Sequence, residues 1–265
     1  MTTVNDILTA LTAFTPFEAA EPWDNNGLIV GDRAAPVTRI LVALDVTGAV
    51  IEEAVELGAE LIVSHHGPIY EGMKTITLDT AKGKIVSAIL RNGLSVISMH
   101  TNLDSVPGGV SETFARKAGL TGSCELFSNV QSLKDGRVGA LGRIFDLDKP
   151  TPLAVFARDV SKAMGSLVVK YAGAERPVQR VGVVSGGGAD YLYDAVQAGC
   201  DTFLTGEAKH GKYMEARELG VNLVEAGHFE SENVIVPVIA EVLRSAYPRV
   251  GVTVSLRHQA PFEVV

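Results

Sequence analysis

Apolar and polar positions along this chain alternate between two rhythms. Short unbroken apolar runs are followed by longer stretches in which apolar residues recur at helical spacing. Ile40–Val46 (ILVALDV) predicts a buried strand, and Ala49–Gly58 (AVIEEAVELG) the helix after it, stopped by glycine. Glu60–His65 (ELIVSH) predicts a second strand. Asp79–Gly93 predicts a helix with Asp79 as its N-cap and Gly93 as its stop. Leu94–His100 (LSVISMH) predicts a third strand and Val110–Leu120 a further helix. Strand and helix in this order argue for a mainly parallel sheet with helices on both faces.

Residues 121–150 break the rhythm. Ser132–Pro150 holds an Asp-Gly turn signal and predicts an antiparallel hairpin. Thr151–Gly165 then restarts the helical pattern. The strand Arg180–Ser185, a helix over Ala189–Ala198, the strand Asp201–Gly206, a helix over Lys209–Leu219, the strand Val221–His228 and a long helix from Ser231 complete the series. The expected architecture is α/β: two similar halves, 1–125 and 126–265, with mainly parallel or mixed sheets, helices on both faces and the functional site in the cleft between them. A faint repeat accompanies this division. LGAELIVSHH (57–66) lines up with AGCDTFLTGE (198–207), and NGLSVISMHTNLD (92–104) with LGVNLVEAGHFESE (219–232) after one residue of slippage. In the second alignment His100 falls on His228 and Asp104 on Glu232. Both duplication and the shared grammar of βαβ units produce such a match.

The formal charge is −8, from 23 basic against 31 acidic residues, which argues against a nucleic-acid groove or an anionic membrane as the main partner. No apolar run approaches the roughly 20 residues that span a bilayer. The start MTTVNDILTA lacks the basic cluster and apolar core of a signal peptide. Cys124 and Cys200 have no CxxC spacing and read as free thiols, so a reducing cytoplasm is the expected location.

In open α/β sheets, ligands bind beyond the carboxyl ends of the strands, and the histidines of this chain gather there. His65 and His66 end one predicted strand, His100 the next and His228 a later one, while His210 begins a helix just after a strand. His100-x3-Asp104 and His228-x3-Glu232 add a carboxylate at or near the first turn of the following helix, where the helix dipole favours it. Imidazole with carboxylate suits zinc, iron, manganese or nickel, not calcium. His65, His66, His100, His228, Asp104 and Glu232 exceed what one tetrahedral ion needs. Adjacent histidines point to opposite sides of a strand. At an irregular strand end they need not serve one ion, and they can straddle two ions about 3.5–4 Å apart with one carboxylate bridging.

SHHGPIY (64–70), HTNLD (100–104) followed by GGV (108–110), GEAKH (206–210) and AGHFESE (226–232), together with EPWDNNGLIVGD (21–32), resemble the signatures of the NIF-like dinuclear metal-centre family. Its members often carry the name GTP cyclohydrolase type 2 homologue, and the match spans nearly the whole chain. The resemblance implies two divalent transition-metal ions per chain, zinc, iron or manganese. His66 and Asp104 would hold one and His65 and His228 the other, with Glu232 bridging and His100 close by. It further implies a toroidal homohexamer with metal sites facing its interior, and a small-molecule substrate, a nucleotide among the options. Some members insert an extra domain between the halves, for which 265 residues leave no room. Two departures stand out: Gly67 intervenes between the double histidine and Pro68, and Gly211 follows His210 where many members have a second histidine.

Weaker motifs remain open. Gly186, Gly187 and Gly188 of SGGGAD join a strand to a helix, either to cradle an anion of the substrate with backbone N–H groups or to make a tight turn. Glu207 is either a general base or a capping carboxylate, and with His100 and His210 completes the candidate catalytic set. Trp23 and its neighbours in WDNNG either form a turn with a packed indole or line the site. His258 reads as structural. Two functions fit these readings. The first is a metal-dependent hydrolase. The second is a non-catalytic metal-binding, scaffold or metal-handling protein.

Overall fold

The computed structural model describes residues 1–166, 168–174 and 176–263, so the last two positions of the expected second half lie outside the described residues. The chain opens with α1 (Val4–Phe14), β1 (Gly27–Val30), β2 (Arg39–Ala43), α2 (Gly48–Leu57), β3 (Leu61–Ser64), α3 (Ala81–Arg91), β4 (Ser95–Ser98) and α4 (Thr101–Ser105). There follow α5 (Val110–Lys117), β5 (Glu125–Phe127), β6 (Gln131–Ser132), β7 (Val138–Gly139), β8 (Gly142–Thr151), α6 (Leu153–Met164) and β9 (Lys170–Ala172). The remainder is β10 (Val178–Val184), α7 (Leu192–Gln197), β11 (Thr202–Thr205), α8 (His210–Glu218), β12 (Asn222–Glu225), α9 (His228–Asn233), α10 (Val236–Ala246) and β13 (Gly251–Val254). No helix among the described residues is long and apolar enough to cross a membrane.

The first compact unit comprises Met1–Leu103 and Val236–Gln259. Its sheet runs β1-β4-β3-β2-β13, parallel except for β1, which lies antiparallel on β4. The central strands are buried on both faces, hence their unbroken apolar runs. Leu41, Ala43, Ile62 and Val96 pack with Val50, Ile51 and Ala54 of α2 and Ile89 of α3, while α10 packs against β2 and β13. Helix α1, which the chain's rhythm did not announce, starts at a capping box. Thr3 Oγ1 accepts from the Asp6 N–H, and the Asp6 carboxylate accepts from the Thr3 N–H.

The second unit comprises Asp104–Ile235 and Ala260–Val265. Its sheet runs β5-β8-β10-β11-β12-β9, with β10, β11 and β12 parallel and the others antiparallel. Alternate residues feed two cores. Val183, Leu204 and Val224 join Phe114 of α5 and Phe156 and Val160 of α6. Val184, Phe203 and Leu223 join Leu192 and Ala195 of α7 and Ala216 of α8. Helices thus cover both faces. Of the hairpin expected over Ser132–Pro150, only the two-residue strands β6 and β7 pair around Asp135-Gly136, with Gly136 at φ +85°, while the rest forms β8 and pairs with β5 and β10.

Three expectations shift. Helix α3 is capped by Thr80, whose hydroxyl accepts from the Gly83 N–H, rather than by Asp79. The helix expected from Ser231 begins at His228 and breaks after Asn233, and a new helix starts at Val236. Pro237 explains the break, because its ring is tolerated in a first turn but not in a helix interior. The compact units are also not the chain-order halves 1–125 and 126–265, because α10 and β13 return to the first sheet.

The return is fastened by a buried carboxylate. Glu53 of α2 accepts hydrogen bonds from Ser255 Oγ and from the backbone N–H groups of Leu256 (2.9 Å) and Arg257 (3.3 Å). Burial alone would raise its pKa, but these donors and the Arg257 charge outweigh it and hold the carboxyl below its ordinary value of 4.5. Glu53→Ala should therefore destabilise the protein by about 1–3 kcal/mol at neutral pH in chemical denaturation. A group whose folded pKa is depressed contributes stability above its unfolded pKa and loses it as pH falls through the folded one. The gap between variant and wild type should accordingly narrow below pH 4.5; a gap that widens in acid would contradict this assignment.

Candidate metal centre

Register places the first set of site residues. In the first sheet Ala43 pairs with Ser64, and Ser64 with Ser98. Two residues beyond each of these level strand ends stand Asp45, His66 and His100. Backbone bonds continue past the strands: the His66 N–H donates to Leu44 O (2.9 Å) and the Met99 N–H to Ser64 O (2.9 Å). His65, one residue short of the row, is fully buried. The backbone bends here, with Ser64 Oγ donating to His66 O and Ser98 Oγ to His65 O. Neighbouring histidines that a straight strand would hold apart therefore converge.

The imidazoles of His65, His66 and His100 form a compact group, with ring centroids 4.8, 5.2 and 5.4 Å apart. Each offers one nitrogen within 4.8 Å of the other two. Every Nδ1 faces an oxygen acceptor: Met99 O for His65 (2.9 Å), Asp45 Oδ1 for His66 (2.8 Å) and Asp24 Oδ1 for His100 (2.7 Å). A carbonyl or carboxylate in that position requires Nδ1–H, which leaves the lone pair of a neutral ring on Nε2. Orienting a histidine through its other nitrogen is the usual support of a metal ligand. The group can hold a divalent transition metal.

Asp24 was absent from the expected site set, and so was Asp45. The Asp24 side chain is fully buried and accepts from five donors: the N–H groups of Asn25 and Thr101, the Asn26 amide, the Thr101 hydroxyl and His100 Nδ1. Burial by itself would raise this carboxyl, but the His100 imidazole and the Thr101 donors prevail and hold it well below the usual carboxylate range. WDNNG therefore belongs to the site. Trp23 lies edge-on to His100, at 6.2 Å between centroids. For Asp45 a signal existed: it ends the apolar run beside the strand that His66 ends, and level parallel strands bring such positions together.

The second unit carries the other candidates. Asp104 on α4 is buried and accepts from Ser185 Oγ at 3.3 Å. Just beyond it, the buried Arg143 donates to Ser105 O and Val106 O, fixing the C-terminal end of that helix. His228 opens α9 and Glu232 lies one turn later, so the two side chains share a face. His228 Nε2 is 3.0 Å from Glu232 Oε2, and His228 Nδ1 is 2.9 Å from Glu207 Oε2. Asp104 and Glu232 each offer an oxygen within 4.8 Å of the other. Glu207 thus orients His228 as Asp45 orients His66. His210 is exposed at the start of α8 and joins no metal-competent group among the described residues.

The glycines of SGGGAD have a packing role. A Cβ on Gly186 would overlap the Glu232 carboxylate, and its φ of +56° disfavours other residues. The Gly186 N–H donates to Ser231 Oγ (3.1 Å), and Gly186 O accepts from the Glu207 N–H (2.8 Å). Those groups brace α9 and Glu207. A Cβ on Gly188 would strike Val184, whereas one on Gly187 would meet little beyond His228.

Mixed α/β units carrying a three-histidine group and a His–Glu pair define a class. The chain belongs to the Duf34/NIF3 (NGG1p interacting factor 3) family, whose pattern matches residues 2–261. It is 33% identical over 264 residues to the GTP cyclohydrolase 1 type 2 homolog of Clostridium perfringens, covering 99% of both chains. It is 34% identical to the protein of the same name from Streptomyces coelicolor, covering 88% of this chain and 82% of that one. Among solved structures it is similar to Staphylococcus aureus hypothetical protein SA1388 (TM-score 0.87, 29% identity, 99% of each chain). A Bacillus cereus protein related to NIF3 shares the fold (TM-score 0.89, 23% identity, 100% of this chain and 99% of that one).

Gly186→Ala tests the close approach. It should displace Glu232 and lower stability by roughly 1–3 kcal/mol, through a strained backbone and a forced side-chain shift. Thermal unfolding with a crystal structure of the variant would check this. Unchanged stability with Glu232 in place would show that the loop yields freely.

Proposed function

We propose that this protein binds two divalent transition-metal ions and uses them to hydrolyse a small molecule. His66 and Asp104 would hold one ion and His65 and His228 the other, with Glu232 bridging. The observation that carries the reading is the commitment of three Nδ1 atoms, on His65, His66 and His100, to oxygen acceptors. It turns the Nε2 lone pairs of His65 and His66 to zinc, iron or manganese and sets that of His100 close beside them. Asp104, His228 and Glu232 add the carboxylates and the further imidazole that a pair of ions requires. The resemblance of the motifs to dinuclear metal-centre proteins supports the same ligand set.

When bound, such a pair supplies Lewis-acid polarisation and water activated near neutral pH. The chain's own residues supply orientation. Asp45, Asp24 and Met99 O fix the rings of His66, His100 and His65, and Glu207 fixes His228. Glu207 is also exposed, so it is placed both to steady a ligand and to exchange a proton with solvent. His100, already bonded to Asp24, is the imidazole placed to take a proton beside His65 and His66. The name carried by the relatives points to a nucleotide such as GTP, and phosphoesters and cyclic amides suit the same chemistry. A toroidal homohexamer in the cytoplasm is the assembly and location we propose with it.

Protein purified without chelator should carry about two transition-metal ions per chain by elemental analysis, with chelator-sensitive turnover on a panel of nucleotides and generic phosphoesters. Glu232→Ala should lose both ions or keep one weakly. Glu207→Ala should keep both at roughly 10–100-fold lower affinity, with unchanged circular dichroism. Failure to bind zinc, manganese or iron in turn would sink the reading. Full loading without turnover on the whole panel would leave a metal-binding protein that is not a hydrolase. Light scattering at micromolar concentration should give a hexamer, and a monomer would refute the assembly.

A further inference from the structure

Two large aromatic side chains beside the three-histidine group are left in the open. Trp23 is 55% exposed and Tyr70 49%, although each has enough apolar surface to reward burial. Their ring centroids lie 5.7 Å apart at an interplanar angle of 58°, so they form a corner with no gap between them. Both stand edge-on to His100, Trp23 at 6.2 Å and 72°, Tyr70 at 5.8 Å and 79°.

This corner is held in place. Trp23 precedes Asp24, whose buried carboxylate collects five hydrogen bonds and anchors that loop to His100 and Thr101. Tyr70 follows Ile69, whose carbonyl accepts from Asn25 Nδ2 at 2.8 Å, tying its loop to the same anchor. Exposed aromatic faces on a fixed frame lose little conformational entropy when a flat ring stacks on them. Stacking tolerates many ring types, since every heteroaromatic base has a π-face. A ring lying on Trp23 would bring the rest of its molecule within reach of His100.

We propose that Trp23 and Tyr70 form a platform that binds the planar heteroaromatic ring of the substrate and orients it beside His100. The inference rests on the reading of the histidine group as part of a hydrolytic centre and adds a substrate class to it. It makes Trp23 the principal specificity residue and Tyr70 the second wall.

Trp23 is the chain's one tryptophan, so its fluorescence reports this corner alone. Metal-loaded full-length protein would be titrated with guanosine 5′-monophosphate, adenosine 5′-monophosphate and the ring-free control ribose 5-phosphate. Both nucleotides should quench the fluorescence, and ribose 5-phosphate should not. By calorimetry, Trp23→Leu should weaken nucleotide binding about tenfold or more, while Trp23→Phe keeps most of it and ribose 5-phosphate is indifferent to both. Circular dichroism should match wild type in both variants, because the indole is exposed. The proposal is overturned if neither nucleotide binds, if ribose 5-phosphate binds as tightly as they do, or if Trp23→Leu leaves their affinity unchanged. A loaded protein that hydrolyses ring-free and ring-bearing phosphoesters equally well would refute the platform and leave the hydrolase standing. Ring-dependent quenching in a protein that takes up no metal would uphold the platform and refute the centre.

Discussion

The level register of three parallel strands is the constraint on which the histidine group depends. Because Ala43, Ser64 and Ser98 pair across β2, β3 and β4, the residues two places on are forced into one row. That row holds an acid and two imidazoles, Asp45, His66 and His100. A slip of one residue at β3 would send His66 to the opposite side, away from Asp45 and His100. Close packing of Leu41, Ala43, Ile62 and Val96 against α2 and α3 resists such a slip, because each side chain would have to leave its fitted place. Packing in the sheet and chemistry at its edge are thus set by one pattern.

The second sheet follows the same plan with a different filling. Its level ends Val184, Thr205 and Glu225 are succeeded two places on by Gly186, Glu207 and Gly227. Two glycines where the first sheet has Asp45 and His100 make room for α9 to start close against the strands. His228 is then presented from the helix rather than from a strand end. Glu207 stands where the first sheet has His66 and takes the orienting role that Asp45 plays there. The faint repeat in the chain therefore has a structural counterpart, in position more than in residue type.

Much of this was legible in the chain itself. Apolar runs located the parallel strands β2, β3, β4, β10, β11 and β12, whose buried stretches leave little polar interruption. Strand-end logic located His65, His66 and His100, and the His-x3-acid spacing located Asp104, His228 and Glu232. What stayed hidden depends on distant partners. Asp24 binds His100 across 76 residues of chain, and no local pattern marks it as a buried hub. Helix α1 begins at a capping box that is easily passed over. Strand β12 stops at Glu225 and Gly227 caps the next helix, so His228 stands at a helix start rather than at a strand end. The return of β13 to β2 is a pairing between segments more than 200 residues apart, which periodicity cannot reveal. In the chain alone Glu207 fits a base or a cap, and only its contact with His228 shows which atom it serves.

That return has a consequence for how the chain is made. On a ribosome, residues 104–235 emerge as one continuous stretch and can build their sheet without waiting for anything downstream. The earlier sheet cannot finish: β2 keeps an unpaired edge, and one face of the sheet lacks α10, until residues 236–254 have left the exit tunnel. An open parallel edge rich in Ile, Leu and Val invites pairing with another chain. Chaperone demand and losses to aggregation in the nascent protein should therefore fall on the older, histidine-bearing segment, although it is the first to be synthesised.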